Sequence, residues 1–168
     1  IAYASAPAKH VHRDVAMKLF KLQKGQVERK TTRDWAKNRF VFPVLYGSYH
    51  VNCAAHIWEA VEKGGRLADG CTVKAWLEFK GIGTKSAYER HVKGVEEAFM
   101  AQFPTFASTK ERWWNVYAKR GWFRMLTGFV CQGVFSRNFL MNADVQGPAF
   151  HCVLWSLIRL RKILRKRR

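Results

Sequence analysis

The stretch Thr31-Thr32-Arg33-Asp34-Trp35-Ala36-Lys37-Asn38-Arg39-Phe40-Val41-Phe42-Pro43-Val44-Leu45-Tyr46-Gly47 decides how this chain is read. Thr31 or Thr32 can cap a helix N-terminus and Gly47 can end one, so the segment reads as a helix interrupted by Pro43. Arg33 and Lys37 stand four apart and share one helical face, where two cations repel unless an anion sits between them. A triphosphate would be such an anion. Tyr46 then closes the segment with an aromatic ring in front of a hinge-capable glycine.

Working outward, Val11, Val15, Leu19 and Leu22 recur at spacings of three and four, which predicts an amphipathic helix over 10–24 ending at Gly25. Helical patterns follow over 49–61 and 72–79, separated by the turn-rich KGGRLADG. A further helix starts at Thr84 or Ser86, carries Val92, Val95, Phe99 and Phe103 on one stripe, and closes at Phe103-Pro104. Another spans 108–120. Gly121, Gly128 and Gly133 bracket two short runs, WFRML and FVCQ, that suit a β-hairpin. A long helix occupies roughly 146–166. The expectation is a mainly α fold with one small β-hairpin, built as a single unit over 1–168.

Composition narrows the function. The 168 residues carry 30 Lys+Arg against 12 Asp+Glu, a formal charge of +18, yet 48% are apolar, too many for a disordered basic tail. A field of this sign attracts polyanions: nucleic acid, an anionic membrane or an acidic protein. Arginines and lysines cluster at 29, 30, 33, 37 and 39 beside Trp35, Phe40, Phe42 and Tyr46. They cluster again at 110, 112, 119, 120 and 124 beside Trp113, Trp114, Tyr117 and Trp122. Cations interleaved with flat rings suit a nucleotide or strand binder, although the same residues serve equally as a solvated face over an aromatic core.

Other chemistries find little support. No apolar run is long enough for a membrane span and the first residues lack the apolar stretch of a signal peptide, so no membrane partner is expected, and cytoplasmic placement is. Cys53, Cys71, Cys131 and Cys152 are widely spaced with no CxxC pair, which speaks against a zinc ribbon or disulfide framework. The triplet His50, Cys53 and His56 has ligand-type side chains at helical spacing but lacks a fourth ligand, so no metal site is assigned. GxxxxGK[ST], GxSxG, HExxH and GxGxxG are absent, and no compact carboxylate pair stands ready to hold two Mg²⁺ ions.

The pattern Arg33-x3-Lys37…Phe42…Tyr46-Gly47 resembles motif B on the fingers helix of family A DNA polymerases, the DNA polymerase I family, in its phage-like branch. Other stretches agree in order. KHVHRDVAMKLFKL resembles the segment after the first catalytic strand, FPTFASTKERWWNVYAKRGWFRMLTG the helix and hairpin that follow the fingers, and Asn142-Ala-Asp-Val-Gln146-Gly the start of a helix facing the primer-template minor groove. The likeness runs from about residue 9 to 160. It implies the fingers and part of the palm of a right-hand polymerase, with His12, Arg33 and Lys37 on the triphosphate of an incoming dNTP and Lys37 also a candidate acid toward pyrophosphate. Phe42, or Phe40, would lie near sugar and base. Tyr46 would close over the nascent pair, and Tyr46, Gly47, Arg137, Asn142 and Gln146 would touch DNA.

The departures from that pattern carry their own expectations. Eight residues separate Lys37 from Tyr46, one more than is common in bacterial members, which in a straight helix would turn Tyr46 away from Lys37. A π-bulge near Arg39–Pro43 would absorb the extra residue where proline already breaks the ladder. His10 stands where the family commonly has Asp, and FVCQG where bacterial members have consecutive arginines. The family's two catalytic aspartates have no counterpart, so Mg²⁺ would be held by complementary polymerase chains. The chain would be one piece of a split or fragmentary DNA-directed DNA polymerase, a nucleotidyltransferase inactive alone. The competing reading is a non-catalytic nucleic-acid-binding module. A third, a peripheral protein docking RLRKILRKRR on anionic lipid, is disfavoured because Leu154, Leu157, Leu160 and Leu164 suit packing against protein.

Overall fold

A computed structural model describes residues 10–165. The chain is mainly helical with one small antiparallel hairpin, and it divides into two compact units with the boundary between Pro104 and Thr105, where the sequence reads as one.

The first unit contains α1 (Val11–Leu19), α2 (Thr32–Ala36), a π-helical turn (Lys37–Val41), α3 (Phe42–Leu45), α4 (His50–Glu62), α5 (Val73–Phe79) and α6 (Lys85–Met100). Its core joins Leu19, Phe20, Phe40, Ile57, Leu77, Tyr88 and Val92, all fully buried. Rings fill it. Phe20 stacks on Tyr88 at 6.3 Å, and Phe40 meets Phe99 edge-on at 5.8 Å. The stripe expected on α6 is the one that faces inward, through Val92, Val95 and Phe99.

Local chemistry sets the ends of these helices. The hydroxyls of Thr72 and Thr84 accept from the backbone N–H groups of Ala75 and Ala87, which fixes the starts of α5 and α6. α1 is shorter than its pattern. It stops at Leu19 because Lys21 takes up a left-handed φ of 50°, and the indole of Trp76 donates to the Phe20 carbonyl at 2.8 Å, satisfying a helix-end acceptor. Neither Thr31 nor Thr32 caps α2 by its side chain. The buried Thr32 hydroxyl turns back instead, accepting from Glu28 N–H at 3.1 Å and donating to its carbonyl at 3.3 Å.

The second unit holds α7 (Pro104–Arg120), the strands β1 (Trp122–Arg124) and β2 (Val130–Gln132), and α8 (Arg137–Arg165). Trp122 pairs with Gln132, Phe123 with Cys131 and Arg124 with Val130. Gly121, at φ 71°, ends α7 and turns the chain into β1. The core is small: Tyr117, Leu140 and Met141, with Trp113, Trp114, Phe123 and Phe135 packed around them. Tyr117 locks the hairpin, its hydroxyl donating to the Gly133 carbonyl at 2.6 Å and accepting from Phe135 N–H at 2.7 Å.

Two helix starts differ from expectation. α7 begins at Pro104 and not at 108, because a proline in the first turn gives up only an N–H that has no helical partner. α8 begins at Arg137, well before 142, because Ser136 starts it, accepting through Oγ from Phe139 N–H at 3.2 Å. Asn142 and Gln146 therefore lie inside α8. Leu154, Leu157, Leu160 and Leu164 are exposed among the described residues. No helix among the described residues is long and apolar enough to cross a membrane.

Candidate functional site

The π-helical turn is the local event that builds the site in the first unit. Pro43 cannot donate to residue 39 and its ring presses on that carbonyl, so the ladder ahead of it widens to i→i+5 over Lys37–Val41. In a straight α-helix, five steps place a side chain about 140° away; in a π turn, residues five apart stack one above the other. Lys37 and Phe42 are five apart. The Lys37 ammonium sits 5.4 Å from the centre of the Phe42 ring. Phe42 in turn meets Tyr46 at 6.3 Å, one α turn further on, and His12 of α1 edge-on at 5.8 Å.

Five residues singled out in the sequence thus gather in two contiguous steps. His12, Lys37, Phe42 and Tyr46 form a chain of ring and cation contacts. Arg33 stands one turn before Lys37, close enough that both cations disfavour a charge on His12. Burial is the larger cause of that depression, followed by Arg33 and Lys37, so the imidazole is held below its ordinary value of 6.5. Its Nδ1 is buried and has no hydrogen-bond partner among the described residues. Neither Arg33 nor Lys37 has an ion-pair partner among them either. Two unneutralised cations facing a neutral imidazole make a place for an anion with several oxygens.

Burial separates Phe40 from Phe42. Phe40 is fully buried against Phe99, on the face that also carries Ala36 and Val44, while Phe42 is 37% exposed among the cations. Gly47, at φ 100°, ends the segment, with Ser48 N–H donating to the Pro43 carbonyl at 2.8 Å. Arg39 is spent elsewhere, on the His56 carbonyl at 2.8 Å.

Arg137, Asn142 and Gln146 belong to the second unit. Arg137 is engaged with the Glu111 carboxylate. Asn142 and Gln146 share a helical face in α8, and Asn142 Oδ1 is buried without a hydrogen-bond partner among the described residues. The glycine that follows has a packing reason: a Cβ at Gly147 would lie 2.5 Å from Met125 Sδ in the hairpin segment.

The second basic and aromatic cluster also converges. α7 and β1 line a cavity of about 350 Å³ with Arg112, Trp113, Arg120, Trp122 and Arg124, and α8 adds Asp144. Arg112, Trp113, Val116, Tyr117 and Arg120 are spaced by three and four, so one face of α7 supplies them. Asp144 was not a sequence candidate. It stands four residues beyond the buried Leu140 and shares its face, a signal that a helix starting at 146 does not contain. Burial raises its carboxyl above the ordinary value.

The His50, Cys53 and His56 triplet is divided by the packing. His50 is occupied by Glu96, which accepts from both its backbone N–H at 2.8 Å and its ring at 3.1 Å; Cys53 is buried and His56 exposed. No group of three or more His, Cys, Asp or Glu converges among the described residues.

No protein-family model matches this chain, and no curated protein matches it significantly. Of the acidic side chains nearest in sequence to His12, Arg33 and Lys37, Asp14 pairs with Arg13 at 3.5 Å and Asp34 accepts from Asn38 at 2.8 Å.

Proposed function

We propose that the first unit binds the triphosphate of a deoxynucleotide as the fingers of a family A DNA-directed DNA polymerase do, and serves DNA synthesis with carboxylates supplied from outside these residues. The observation that carries this is the gathering of Arg33 and Lys37, without carboxylate partners, around His12 and Phe42. Phosphoryl transfer is mostly positioning and charge stabilisation, and cations aimed at the outer phosphates serve both.

In this reading Arg33, Lys37 and His12 hold phosphate oxygens, and Lys37 is the group from which the leaving pyrophosphate takes a proton. Phe42 lies against the sugar and base. Tyr46, followed by the turn at Gly47, closes over the nascent pair. Asn142, Gln146 and Arg137 would meet primer-template DNA, Arg137 only after releasing Glu111. Mg²⁺ would be held by carboxylates of complementary polymerase chains.

Titration of the chain with dATP, followed at the His12 ring by NMR, tests the reading. Arg33→Ala and Lys37→Ala should each weaken binding about ten- to hundredfold, the cost of a hydrogen bond to a charged group. dAMP should bind more weakly than dATP. Primer extension by an assembly that contains the chain should be abolished by Lys37→Glu. Unchanged dATP affinity in Arg33→Ala and Lys37→Ala would overturn the proposal. A plain nucleic-acid-binding module is the second reading, favoured by the separate basic and aromatic cavity of the second unit; there Lys37→Glu would weaken DNA binding only modestly.

A further inference from the structure

We propose that the cavity of the second unit binds a single nucleotide, its base against the Trp113 and Trp122 walls and its phosphate on Arg112, Arg120 and Arg124. The cavity lies wholly within the second unit, so the proposal does not rest on the triphosphate reading of the first.

Size, charge and shape agree. About 350 Å³ is at the small end of ligand pockets, which run roughly 300–1,000 Å³, and has room for one nucleotide but not two. None of the three arginines has an ion-pair partner among the described residues, so three guanidinium groups face one cleft that holds a single carboxylate, Asp144. An anion relieves that repulsion. The Arg120 guanidinium lies 5.4 Å over the Trp122 ring, which holds its charge at the cavity wall. Trp113 is half-buried and stacks on no other ring among the described residues, which leaves it available to a flat ligand.

Asp144 makes the site specific for a base and not for a bare phosphate. Its carboxylate is partly buried, lines the cavity, and has no hydrogen-bond or ion-pair partner among the described residues. A carboxylate accepts from ring N–H and amino groups and repels phosphate. The ligand is therefore oriented, with the donor edge of its base toward α8 and its phosphate toward α7 and β1. The cavity is also pre-formed, because the Tyr117 hydroxyl is fixed between Gly133 and Phe135.

A free nucleotide and one nucleotide of a strand share this chemistry. The test titrates the full chain with dGMP, with deoxyribose 5-phosphate and with a short dG-containing oligonucleotide, following the indole N–H signals of Trp113 and Trp122. We expect dGMP or the oligonucleotide to move both signals, and deoxyribose 5-phosphate to bind at least about fivefold more weakly, the lower end of a base-stacking contribution. The double variant Arg120→Gln/Arg124→Gln, at two exposed positions, should weaken binding at least about tenfold, whereas Lys37→Ala should leave it unchanged. Asp144→Ala should reduce the preference for dGMP over the sugar phosphate to what stacking alone supplies. If the oligonucleotide binds more tightly than dGMP through the same indoles and arginines, the occupant is a nucleotide of a strand; if not, it is a free one. Equal affinity for deoxyribose 5-phosphate and dGMP, insensitivity to the double variant, or indole signals that do not move with either ligand would overturn the proposal.

Discussion

Phe40 and Phe42 are two residues apart, chemically identical and on opposite faces of one segment, so replacing each by alanine separates packing from ligand contact. Phe40 is fully buried among Ala36, Val44 and Phe99, whereas Phe42 keeps 37% of its surface exposed. A phenylalanine has about 200 Å² to bury, so Phe42 leaves about 75 Å² more in water, worth about 2 kcal/mol at 25 cal/mol/Å². Phe40→Ala also opens a cavity, whereas the space left by Phe42→Ala is open to water. Phe40→Ala should therefore cost about 4 kcal/mol and Phe42→Ala about 1–2 kcal/mol. Native-state hydrogen exchange at the amides of Ile57 and Val92 reads the first unit without interference from the second. dATP affinity should show the reverse order: Phe42→Ala weakens it about fivefold or more, by loss of a stacking surface, while costing less protection than Phe40→Ala. Equal destabilisation by the two variants, or a larger loss for Phe42→Ala, would refute the assignment of faces and with it the role of the π turn.

Other outcomes follow from single groups. His12 has a folded-state value below its unfolded 6.5, so as pH falls through 6.5 the unfolded chain takes up the proton first and stability drops; it is fully present above 6.5, and denaturation midpoints at pH 5 and 7.5 check the sign. Bound triphosphate should move the His12 titration upward, because it offsets Arg33 and Lys37. The Tyr88 hydroxyl is buried without a hydrogen-bond partner among the described residues, so Tyr88→Phe should stabilise the first unit by about 1 kcal/mol in urea denaturation, while a loss of stability would reveal a partner. Burial pushes the Cys53 thiol up to about 11, so a disulfide reagent at pH 8 should label the exposed Cys152 quickly and Cys53 only on unfolding. Gly65→Ala would put a Cβ 2.5 Å from the Trp35 ring and should cost about 1–3 kcal/mol by the same exchange measurement.

The sequence is most informative where one residue type allows few conformations. The hairpin is legible because Gly121, Gly128 and Gly133 all take positive φ, and the strands lie between them. The π turn is legible because Pro43 forbids one backbone bond inside a segment that is otherwise helical, and it forms just ahead of the proline, over Lys37–Val41. The start of α8 is not, because Asn142, Asp144, Gly147 and Pro148 are all residues that favour helix ends. Tertiary contact overrides them. Gly147 lies where a Cβ would press on the flexible end of Met125, and Ser136 makes the start that the later residues imitate. The end of α1 was hidden for a similar reason. Leu22 continues the apolar pattern and is buried, but from a turn beyond the helix, and the Trp76 indole that satisfies the Phe20 carbonyl is more than fifty residues away.

A formal charge of +18 does not say which cations can bind anything. What distinguishes them is where each donor is already committed. Arg39 looks like part of the first basic cluster, yet its guanidinium is fixed to the His56 carbonyl; Arg137 looks like a DNA contact, yet it is held by Glu111. Arg33 and Lys37 act on His12 and have no ion-pair partner among the described residues, and neither do Arg112, Arg120 and Arg124, which face a cavity holding only the Asp144 carboxylate. An exposed cation in water gains little from a distant anion, whereas several held together beside an aromatic wall gain from one bound anion what each lacks alone. Charge reversal at Arg39 should therefore disturb the packing of α4 more than it disturbs nucleotide affinity, and charge reversal at Lys37 should do the opposite. That contrast follows from the partners of the two residues, since in charge and in distance along the chain they are nearly the same.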